Sequence, residues 1–311
     1  MKGFIIKRLF LIIPTAIAVS LISFSLLYFS PGNAAEIILE QKSPDAGPNS
    51  ELVKEYEKKL GLDKPFYELY LIWLSKVLRG DFGTSLQNGE PVIDEIMARL
   101  PYTLMLMLGA TVVYLILGIL MGVLSAVYKD SFIDNIVRAY ASINMSIPNF
   151  WLALLLIWIF SVKLRIIDTF GYNGVYSLIL PSLALGLGMA GSLARVLRVS
   201  ILEVFNSDYV LTARAKGLSE RIIILKHVLK NAFLPVITLI GMKTTYLLGG
   251  SVIVESIFGW PGIGSYLIEA INAKDFPAVS GTVFIIGILV VIANLIVDIS
   301  YTILDPRIRY G

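Results

Sequence analysis

The chain has 311 residues, of which 56% are hydrophobic and 16% charged, with a formal net charge of +3 and a mean hydropathy of +0.77. This composition is typical of integral membrane proteins and excludes a disordered chain or an ordinary water-soluble domain. The sequence holds no cysteine and a single histidine, His227, which excludes disulfide frameworks, zinc clusters and thiol chemistry.

Long apolar stretches dominate the chain, and each can cross a hydrocarbon core of about 30 Å as a helix. The six stretches are residues 9–29, 101–128, 139–162, 171–194, 231–254 and 277–297. We therefore predict an all-α membrane protein with six transmembrane helices. The first stretch follows three basic residues, as a signal peptide would. It is longer than an apolar signal region and no A-x-A-like cleavage site follows it, so we expect it to be retained.

Basic residues near the spans predict their orientation, because cytoplasmic loops are enriched in lysine and arginine. With an even number of spans, both termini lie on the same side. The termini and the short loops on that side hold Lys2, Lys7, Arg8, Lys129, Arg138, Arg195, Arg198, Arg214, Lys216, Arg221, Lys226, Lys230, Arg307 and Arg309. The short loops on the opposite side hold Lys163, Arg165 and Lys274. We therefore expect both termini in the cytoplasm.

The chain divides into an N-terminal transmembrane helix in residues 1–30, an extracytoplasmic helical segment in residues 31–99, and a core of five transmembrane helices in residues 100–311. In the outer segment Ser50 can cap a short helix. After Pro65, apolar residues recur at helical spacing. They are Phe66, Leu69, Tyr70, Trp73, Leu74, Val77 and Leu78. A helix with such a face lies on the bilayer surface or packs against the outer ends of the spans.

Small residues and prolines indicate where the spans pack closely or bend. A small-xxx-small ridge in the second span and three glycines in the fourth predict close packing between helices. These residues are Gly118, Gly122, Ala126, Gly186, Gly188 and Gly191. Prolines inside spans predict kinks, which a helix bundle tolerates where neighbours satisfy the freed backbone groups. These are Pro14, Pro148, Pro181 and Pro235.

The stretch TARAKGLSERIIILKHVLKNAFLP, residues 212–235, is unusually polar for this chain. It holds five basic residues and the single histidine against one acid, Glu220. Residues 208–216 predict a short helix that ends at Gly217, and Ser219 can cap a second helix that continues into the fifth span. We therefore expect a helical hairpin in the cytoplasm.

Two interpretations of this hairpin remain open from the residues alone. Ala213 and Ala215 are small, so the short helix can enter a groove on another protein, where Arg214 and Lys216 meet acidic side chains or carbonyl groups. Alternatively, the basic residues enforce the topology and contact anionic lipid headgroups.

The hairpin sequence resembles the cytoplasmic coupling loop of ABC importer permeases of the peptide/nickel family. The matching runs are TARAKGL at residues 212–218 and HVLKNAFLP at residues 227–235. Further segments resemble that family in the same order. They are GLDKPFYELYLIWLSKVLRGDFGTSL (61–86), SIPNFWLALLL (146–156), ESIFGWPGIGSYLIEAINAKDFP (255–277) and LDPRIR (304–309). The wider pattern E-A-A-x3-G-x9-I-x-L-P is matched only loosely, since Lys230 replaces its proline, which agrees with this subgroup.

The resemblance implies a type I ABC importer permease fold in a bacterial or archaeal cytoplasmic membrane. It places the coupling loop near residues 205–225 and assigns contact with the ATPases to Thr212, Ala213, Arg214, Ala215, Lys216, Gly217, Leu218 and His227. It also implies partners: a second homologous permease, two ABC ATPase subunits and an extracytoplasmic substrate-binding protein, with no role for nucleic acid.

The chain contains no Walker A pattern, so it cannot cradle nucleotide phosphates itself. We therefore expect a transport permease and not an enzyme, with no catalytic residue, metal or cofactor of its own. ATP and Mg²⁺ belong to the partner ATPases that the resemblance implies.

The run FGWPGIG at residues 258–264 follows the fifth span and predicts an outer turn with a short helix after it. Trp260, Pro261, Gly262 and Gly264 form either a gate or docking surface for the binding protein, or a plain connecting loop. The long outer segment is the other candidate for docking.

Lys243 is the one charge well inside the fifth span, and Asp298 lies near the cytoplasmic end of the sixth. Either these residues line the translocation path, or they form a structural pair. A lysine on the path repels a divalent metal and favours a carboxylate, so peptide cargo is preferred over nickel or a metal chelate. A proton-coupled secondary transporter remains the alternative. An intramembrane serine protease is excluded, because His227 and Ser251 lie about 36 Å apart on one helix.

Overall fold

The computed structural model describes residues 2–29, 64–167 and 170–304, and regular structure in those ranges is helical apart from one isolated bridge. The elements in chain order are α1 (Lys2–Tyr28), α2 (Phe66–Val77), α3 (Val92–Val127), α4 (Phe132–Ser146), α5 (Asn149–Leu156), a π-helical turn (Ile157–Lys163), a 3-10 turn (Val175–Leu178), α6 (Ile179–Phe205), α7 (Asp208–Ala215), α8 (Glu220–Ile222), a second π-helical turn (Ile223–Val228), α9 (Leu229–Phe258), α10 (Ile263–Asn272) and α11 (Phe276–Leu304). The helix predicted after Ser50 and residues 305–309 lie outside the described ranges.

Three uninterrupted helical segments have the length and hydropathy of a membrane span: α3, residues 175–205, and residues 276–297. Three further pairs of helices reach that length only together. These are α4 with the helix from Asn149 to Lys163, residues 220–233 with 235–243, and residues 245–258 with α10. By length and composition the described chain thus holds between three and six crossings. The predicted second, fourth and sixth spans are confirmed as long apolar helices, whereas the third and fifth are bent.

Two of the three bends lie at a proline, which cannot donate a backbone hydrogen bond. The helices on either side of Pro148 meet at 108°, and the segments on either side of Leu234, the residue before Pro235, meet at 50°. The kink predicted at Pro181 is wrong, because this proline lies in the first turn of α6, where its missing N–H costs no hydrogen bond.

The larger of two compact units comprises Tyr102–Pro261 and the chain from Ala293. Its centre is α6, which packs against α4, α5 and α9. In the apolar window of residues 175–205, 67% of residues are buried, compared with 22% in that of α3. The leucines Leu185, Leu193 and Leu197 of α6 are fully buried.

The glycine ridge of α3 packs directly on α6, as its spacing predicts. A Cβ atom added at Gly122 would lie 3.0 Å from the carbonyl oxygen of Ala194, and one at Gly118 would lie 2.5 Å from Leu193. Larger side chains would separate the two helices, so these positions require glycine for close packing.

The second unit comprises Lys2–Pro101 and Gly262–Ile292. In it the apolar face of α2 packs on α1, where the ring of Phe24 lies 5.4 to 5.7 Å from those of Phe66, Tyr70 and Trp73. Trp73 also contacts Phe284 of α11 edge to face, with the ring centroids 5.8 Å apart. The sequence left open whether the apolar face of α2 lies on the bilayer surface or packs against other helices. In the structure it packs against other helices.

Candidate coupling hairpin and membrane path

The first arm of the hairpin is α7, and this helix ends before Gly217, as predicted. Gly217 has φ +80, in the left-handed region that favours glycine. Its N–H donates to the carbonyl oxygen of Arg214 at 2.9 Å, and the N–H of Leu218 donates to that of Ala213 at 3.3 Å. The backbone therefore reverses direction here through a turn closed by hydrogen bonds.

One face of α7 is buried within the chain. Val210 and Ala213 lie one turn apart and are 0% and 6% exposed, and they belong to the same apolar cluster as the buried Ile223 and Val228 of the returning arm. Ala213 therefore packs within the hairpin, and its assignment to ATPase contact stays a prediction. Its methyl group lies on the buried side, where a larger side chain would disturb the packing.

Arg214 joins the two arms of the hairpin. Its Nε donates to Oε1 of Glu220 at 2.7 Å and its Nη2 to Oε2 at 3.3 Å, while the guanidinium lies 5.6 Å from the centroid of the Phe205 ring. The hydrogen bond from Arg214 lowers the pKa of Glu220, and the same bond raises the pKa of Arg214. Arg214 is thus engaged inside the hairpin, and its assignment to ATPase contact stays a prediction.

The returning arm differs locally from the prediction. Ser219 precedes α8 in an extended conformation, but its side chain makes no capping hydrogen bond. The next turn, which contains His227, is widened into a π-helix, a local form frequent at functional sites. Asn231 then donates to the hydroxyl of Tyr209 at 2.8 Å and to the carbonyl oxygen of His227 at 3.2 Å. These bonds tie α7 to the start of α9.

The opposite side of α7 is open. Leu211 is 53% exposed, and Ala215 lies one turn further along the same exposed side. We call the exposed residues Leu211, Thr212, Ala215, Lys216 and Leu218 the coupling face. This face combines apolar, small and cationic side chains on a backbone that the buried side holds in place.

A second open surface follows α9. Met242, Tyr246, Gly249 and Ile253 recur at helical spacing and are all exposed, and we call them the open face of α9. The half-buried Lys243 stands beside this face with its ammonium group 5.2 Å from the centroid of the Tyr246 ring.

The predicted partner of Lys243 cannot be compared directly, because the side chain of Asp298 lies outside the described residues, although its backbone is part of α11. The structure instead shows a polar link between α9 and α11 that the sequence did not reveal. Thr245 donates to Oδ1 of Asn294 at 2.6 Å.

The outer turn after α9 is held from inside. The indole of Trp260 is 1% exposed, donates from Nε1 to the carbonyl oxygen of Tyr102 at 2.9 Å, and contacts Tyr172 edge to face. Gly262 and Gly264 are also buried, while Pro261 is half-buried. Trp260, Gly262 and Gly264 are thus enclosed within the chain, and their assignment to a gate or docking surface stays a prediction. The short helix predicted after this turn is confirmed as α10.

The sequence of this chain matches two family models. The family described as "Binding-protein-dependent transport system inner membrane component" matches residues 115–310, and the one described as "Binding-prot-dependent transport system membrane comp, N-term" matches residues 1–107. The chain belongs to this family of membrane permeases. Together the two matches cover nearly the whole permease.

Curated relatives align with the permease over the full length of both chains. The dipeptide transport system permease protein DppB of Alkalihalophilus pseudofirmus is 36% identical, and the oligopeptide transport system permease protein AppB of Bacillus subtilis is 40% identical. The glutathione transport system permease protein GsiC of Escherichia coli is 38% identical. The predicted membership of the peptide group of ABC importer permeases is confirmed.

Among solved structures, the permease is similar to a chain of the inward-facing MetNI methionine ABC transporter. The TM-score is 0.57 at 18% identity, over 68% of the permease and 96% of that chain. At this identity the likeness shows the fold alone, and it confirms the predicted type I ABC importer permease fold.

One buried acid of the permease was missed by sequence reasoning. Glu255, near the end of α9, is 0% exposed and accepts a hydrogen bond from Oγ1 of Thr103 at 2.8 Å. An acid in an apolar environment needs such partners, because an unpaired carboxylate there is costly. Its position directly after an apolar run of the sequence was the available signal.

Proposed function

We propose that this permease is the membrane subunit of an ATP-driven importer for di- and oligopeptides. Two ABC ATPase subunits contact the coupling face, a second homologous permease completes the path, and an extracytoplasmic binding protein delivers the peptide. The chain lies in a bacterial or archaeal cytoplasmic membrane with both termini in the cytoplasm. The coupling hairpin carries this proposal, because its buried side is packed while its outer side is open.

The hairpin is built to transmit force. Its two arms are joined by the ion pair of Arg214 with Glu220 and by the apolar contacts around Val210 and Ile223. The returning arm is followed directly by α9, which bends by 50° at residue 234. A displacement of the coupling face by ATPases that bind ATP and Mg²⁺ therefore moves the cytoplasmic end of α9, and rigid-body movement of this kind can alternate access to a membrane path.

Peptide cargo is supported by two observations. The relatives described above are named for dipeptides, oligopeptides and glutathione, which share a peptide backbone and a free carboxylate. The open face of α9 has the ammonium group of Lys243 beside it, within 5.2 Å of an aromatic ring. An ammonium group attracts a carboxylate and repels a divalent metal ion, so peptides are favoured over nickel as cargo.

A substitution on the coupling face tests the proposal. The complete transporter is reconstituted in proteoliposomes, with ATP inside the compartment that faces the ATPases, and peptide uptake and ATP hydrolysis are measured. Ala215→Glu places a charge on the exposed side of α7, and we expect assembly to persist while uptake falls at least about tenfold, as for a disrupted interface residue.

Ala98→Glu is the matched control, since Ala98 is also an exposed helical alanine but lies in α3, away from α7 in the sequence. We expect this variant to transport at the wild-type rate. Equal uptake by both variants would show that the ATPases do not contact this face. Uptake that continues without ATP and stops with a proton ionophore would establish the proton-coupled alternative.

A further inference from the structure

A cationic cleft lies in the larger unit and shares no residue with the coupling hairpin or the open face of α9. It has a volume of about 330 Å³ and is formed by the end of α3, the middle of α4 and the second half of α6. Its lining includes Ser125, Arg138, Ser142, Arg195, Arg198 and Val199, and none of the lining residues is acidic.

One wall of the cleft is fixed by a buried ion pair. Asp134, which is 0% exposed, accepts from Nε of Arg198 at 2.8 Å and from Nη2 at 2.6 Å. It also accepts from the hydroxyl of Ser125 and from the backbone N–H of Asp130 at 3.0 Å. A bidentate pair of this kind holds the guanidinium in one orientation. Arg198 is therefore a rigid wall whose charge Asp134 balances.

The other two arginines leave the cleft with a net positive charge. Arg138 and Arg195 are exposed, and neither forms an ion pair with another described residue. Arg195 makes one long hydrogen bond, from Nη2 to the hydroxyl of Ser142 at 3.4 Å. Of the nearby carboxylates, Asp134 pairs with Arg198, and Oδ2 of the exposed Asp130 lies 3.9 Å from Nζ of Lys129.

Exposed apolar side chains lie next to this charge. Val199 in the lining is 46% exposed, and Leu124 of α3, directly before the lining residue Ser125, is 43% exposed. In a membrane protein such side chains face acyl chains. An amphiphile with a phosphate group can therefore place its headgroup between the arginines and its chains along this apolar surface. Basic pockets between membrane helices bind anionic headgroups in this manner.

We propose that this cleft binds a phosphate group, and that its source is the headgroup of an anionic phospholipid. Arg138 and Arg195 donate charge-assisted hydrogen bonds to the phosphate oxygens, and Arg198 presents the wall behind them. The bound headgroup links α4 to α6 and so braces the central helix of the larger unit. This inference does not depend on the proposed cargo or on the coupling face.

Lipid binding by the complete transporter tests the inference. The protein is purified in a neutral detergent and titrated with phosphatidylglycerol or with phosphatidylcholine, and the bound lipid is counted by native mass spectrometry. We expect phosphatidylglycerol affinity to fall at least about tenfold in Arg138→Gln/Arg195→Gln, because two charge-assisted bonds are lost. Arg198 is left intact, so the buried pair remains and the fold is preserved.

Lys76→Gln/Arg79→Gln is the control, because it removes the same charge from two exposed residues. Lys76 lies in α2 and Arg79 just after it, and this variant should bind phosphatidylglycerol as the wild type does. Arg138→Lys/Arg195→Lys keeps the charge but loses the planar donors, so an intermediate affinity is expected. Free phosphate is tested at millimolar concentration. If it displaces the lipid from the wild type, and raises the melting temperature of the wild type but not of Arg138→Gln/Arg195→Gln, the site accepts free phosphate as well. Two results would overturn the proposal. One is equal phosphatidylglycerol affinity in both Gln double variants. The other is a loss of phosphatidylcholine affinity in Arg138→Gln/Arg195→Gln that equals its loss of phosphatidylglycerol affinity.

Discussion

At the scale of single residues, Lys243 is the only charged side chain in residues 231–254 and lies beside the exposed stripe of α9. Its ammonium group lies 5.2 Å from the centroid of the Tyr246 ring and makes no hydrogen bond or ion pair with a side chain that the structure describes. A charge at this depth is energetically costly unless it meets water, a ligand or a counter-ion. We propose that the carboxylate of a passing peptide is this counter-ion.

We expect Lys243→Met to change the preference among peptides. Uptake of peptides with a free carboxyl terminus should fall about two- to fivefold relative to the same peptides with an amidated terminus, the range for a partly hydrated ion pair. The measurement is competition for uptake in proteoliposomes with the binding protein at saturation.

Lys163→Met is the control for this substitution, because Lys163 makes the same kind of contact, 5.4 Å from the centroid of the Trp158 ring. It should leave the ratio of free to amidated peptide uptake unchanged. If Lys243→Met also leaves that ratio unchanged, Lys243 has a structural role and does not line the path.

The sequence predicted which residues of the hairpin are polar, but not what they contact. Arg214 and Glu220 are six residues apart and come together only because the turn at Gly217 brings the two arms side by side. The inward orientation of Ala213 likewise depends on where Ile223 and Val228 return. Residue type gives the chemistry of a side chain, but tertiary geometry decides its partner. Spacing along one helix cannot predict that geometry.

At the scale of elements, the turn at Gly217 governs the angle between α7 and the returning arm. With φ +80 and a hydrogen bond from its N–H, this residue is sensitive to two separate changes. Alanine would add a Cβ that has no atom within 4 Å, so its cost is the conformational strain alone, about 1 kcal/mol. Proline cannot adopt positive φ and also removes the donor.

We therefore expect Gly217→Pro to abolish peptide uptake and to reduce co-purification of the ATPase subunits, while Gly217→Ala retains most of both. Gly80→Pro is a matched control, because Gly80 has φ +81, an open Cβ position and an N–H bonded to Val77. It should keep the ATPase subunits bound. Full retention of the ATPases by Gly217→Pro would contradict the role of the hairpin.

The burial of Ala213 also changes which substitution is informative. Ala213→Glu would insert a carboxylate among Val210, Ile223 and Val228, and would disrupt the hairpin itself. Ala215→Glu leaves that cluster intact and so probes the partner contact alone.

Element positions were the more predictable part of the fold. Apolar periodicity located α2, and the ridge of Gly118 and Gly122 predicted its close packing, because both patterns are local to one helix. The bend at Pro148 followed from the proline, but the same argument failed at Pro181, since the effect of proline depends on its position within the helix. The link between Thr245 and Asn294 joins distant segments, and no local pattern marks it.

At the scale of the whole molecule, the distribution of basic residues predicts the orientation in the membrane. The absence of cysteine makes this orientation directly measurable, because any introduced thiol is the only one present. Lys216→Cys and Gln87→Cys each place a thiol on an exposed residue. Ala153→Cys places one at a residue that is 0% exposed.

We expect a membrane-impermeant maleimide to label Gln87→Cys in intact cells and Lys216→Cys only after the membrane is opened. Ala153→Cys should remain unlabelled in both conditions until the protein is denatured, which controls for non-specific access. Labelling of Lys216→Cys from outside intact cells would reverse the orientation and remove the coupling face from the reach of cytoplasmic ATPases.

The central position of α6 has a consequence for biosynthesis. Its partners α4 and α5 leave the ribosome earlier, and α9 leaves later, but all three pack on the same helix. Until Phe205 has been synthesised, the bent pair around Pro148 lacks the complete helix on which it packs. A nascent chain that stops before Ile179 thus lacks the scaffold for α4 and α5, although Ser125 of α3 can still donate to Asp134 of α4.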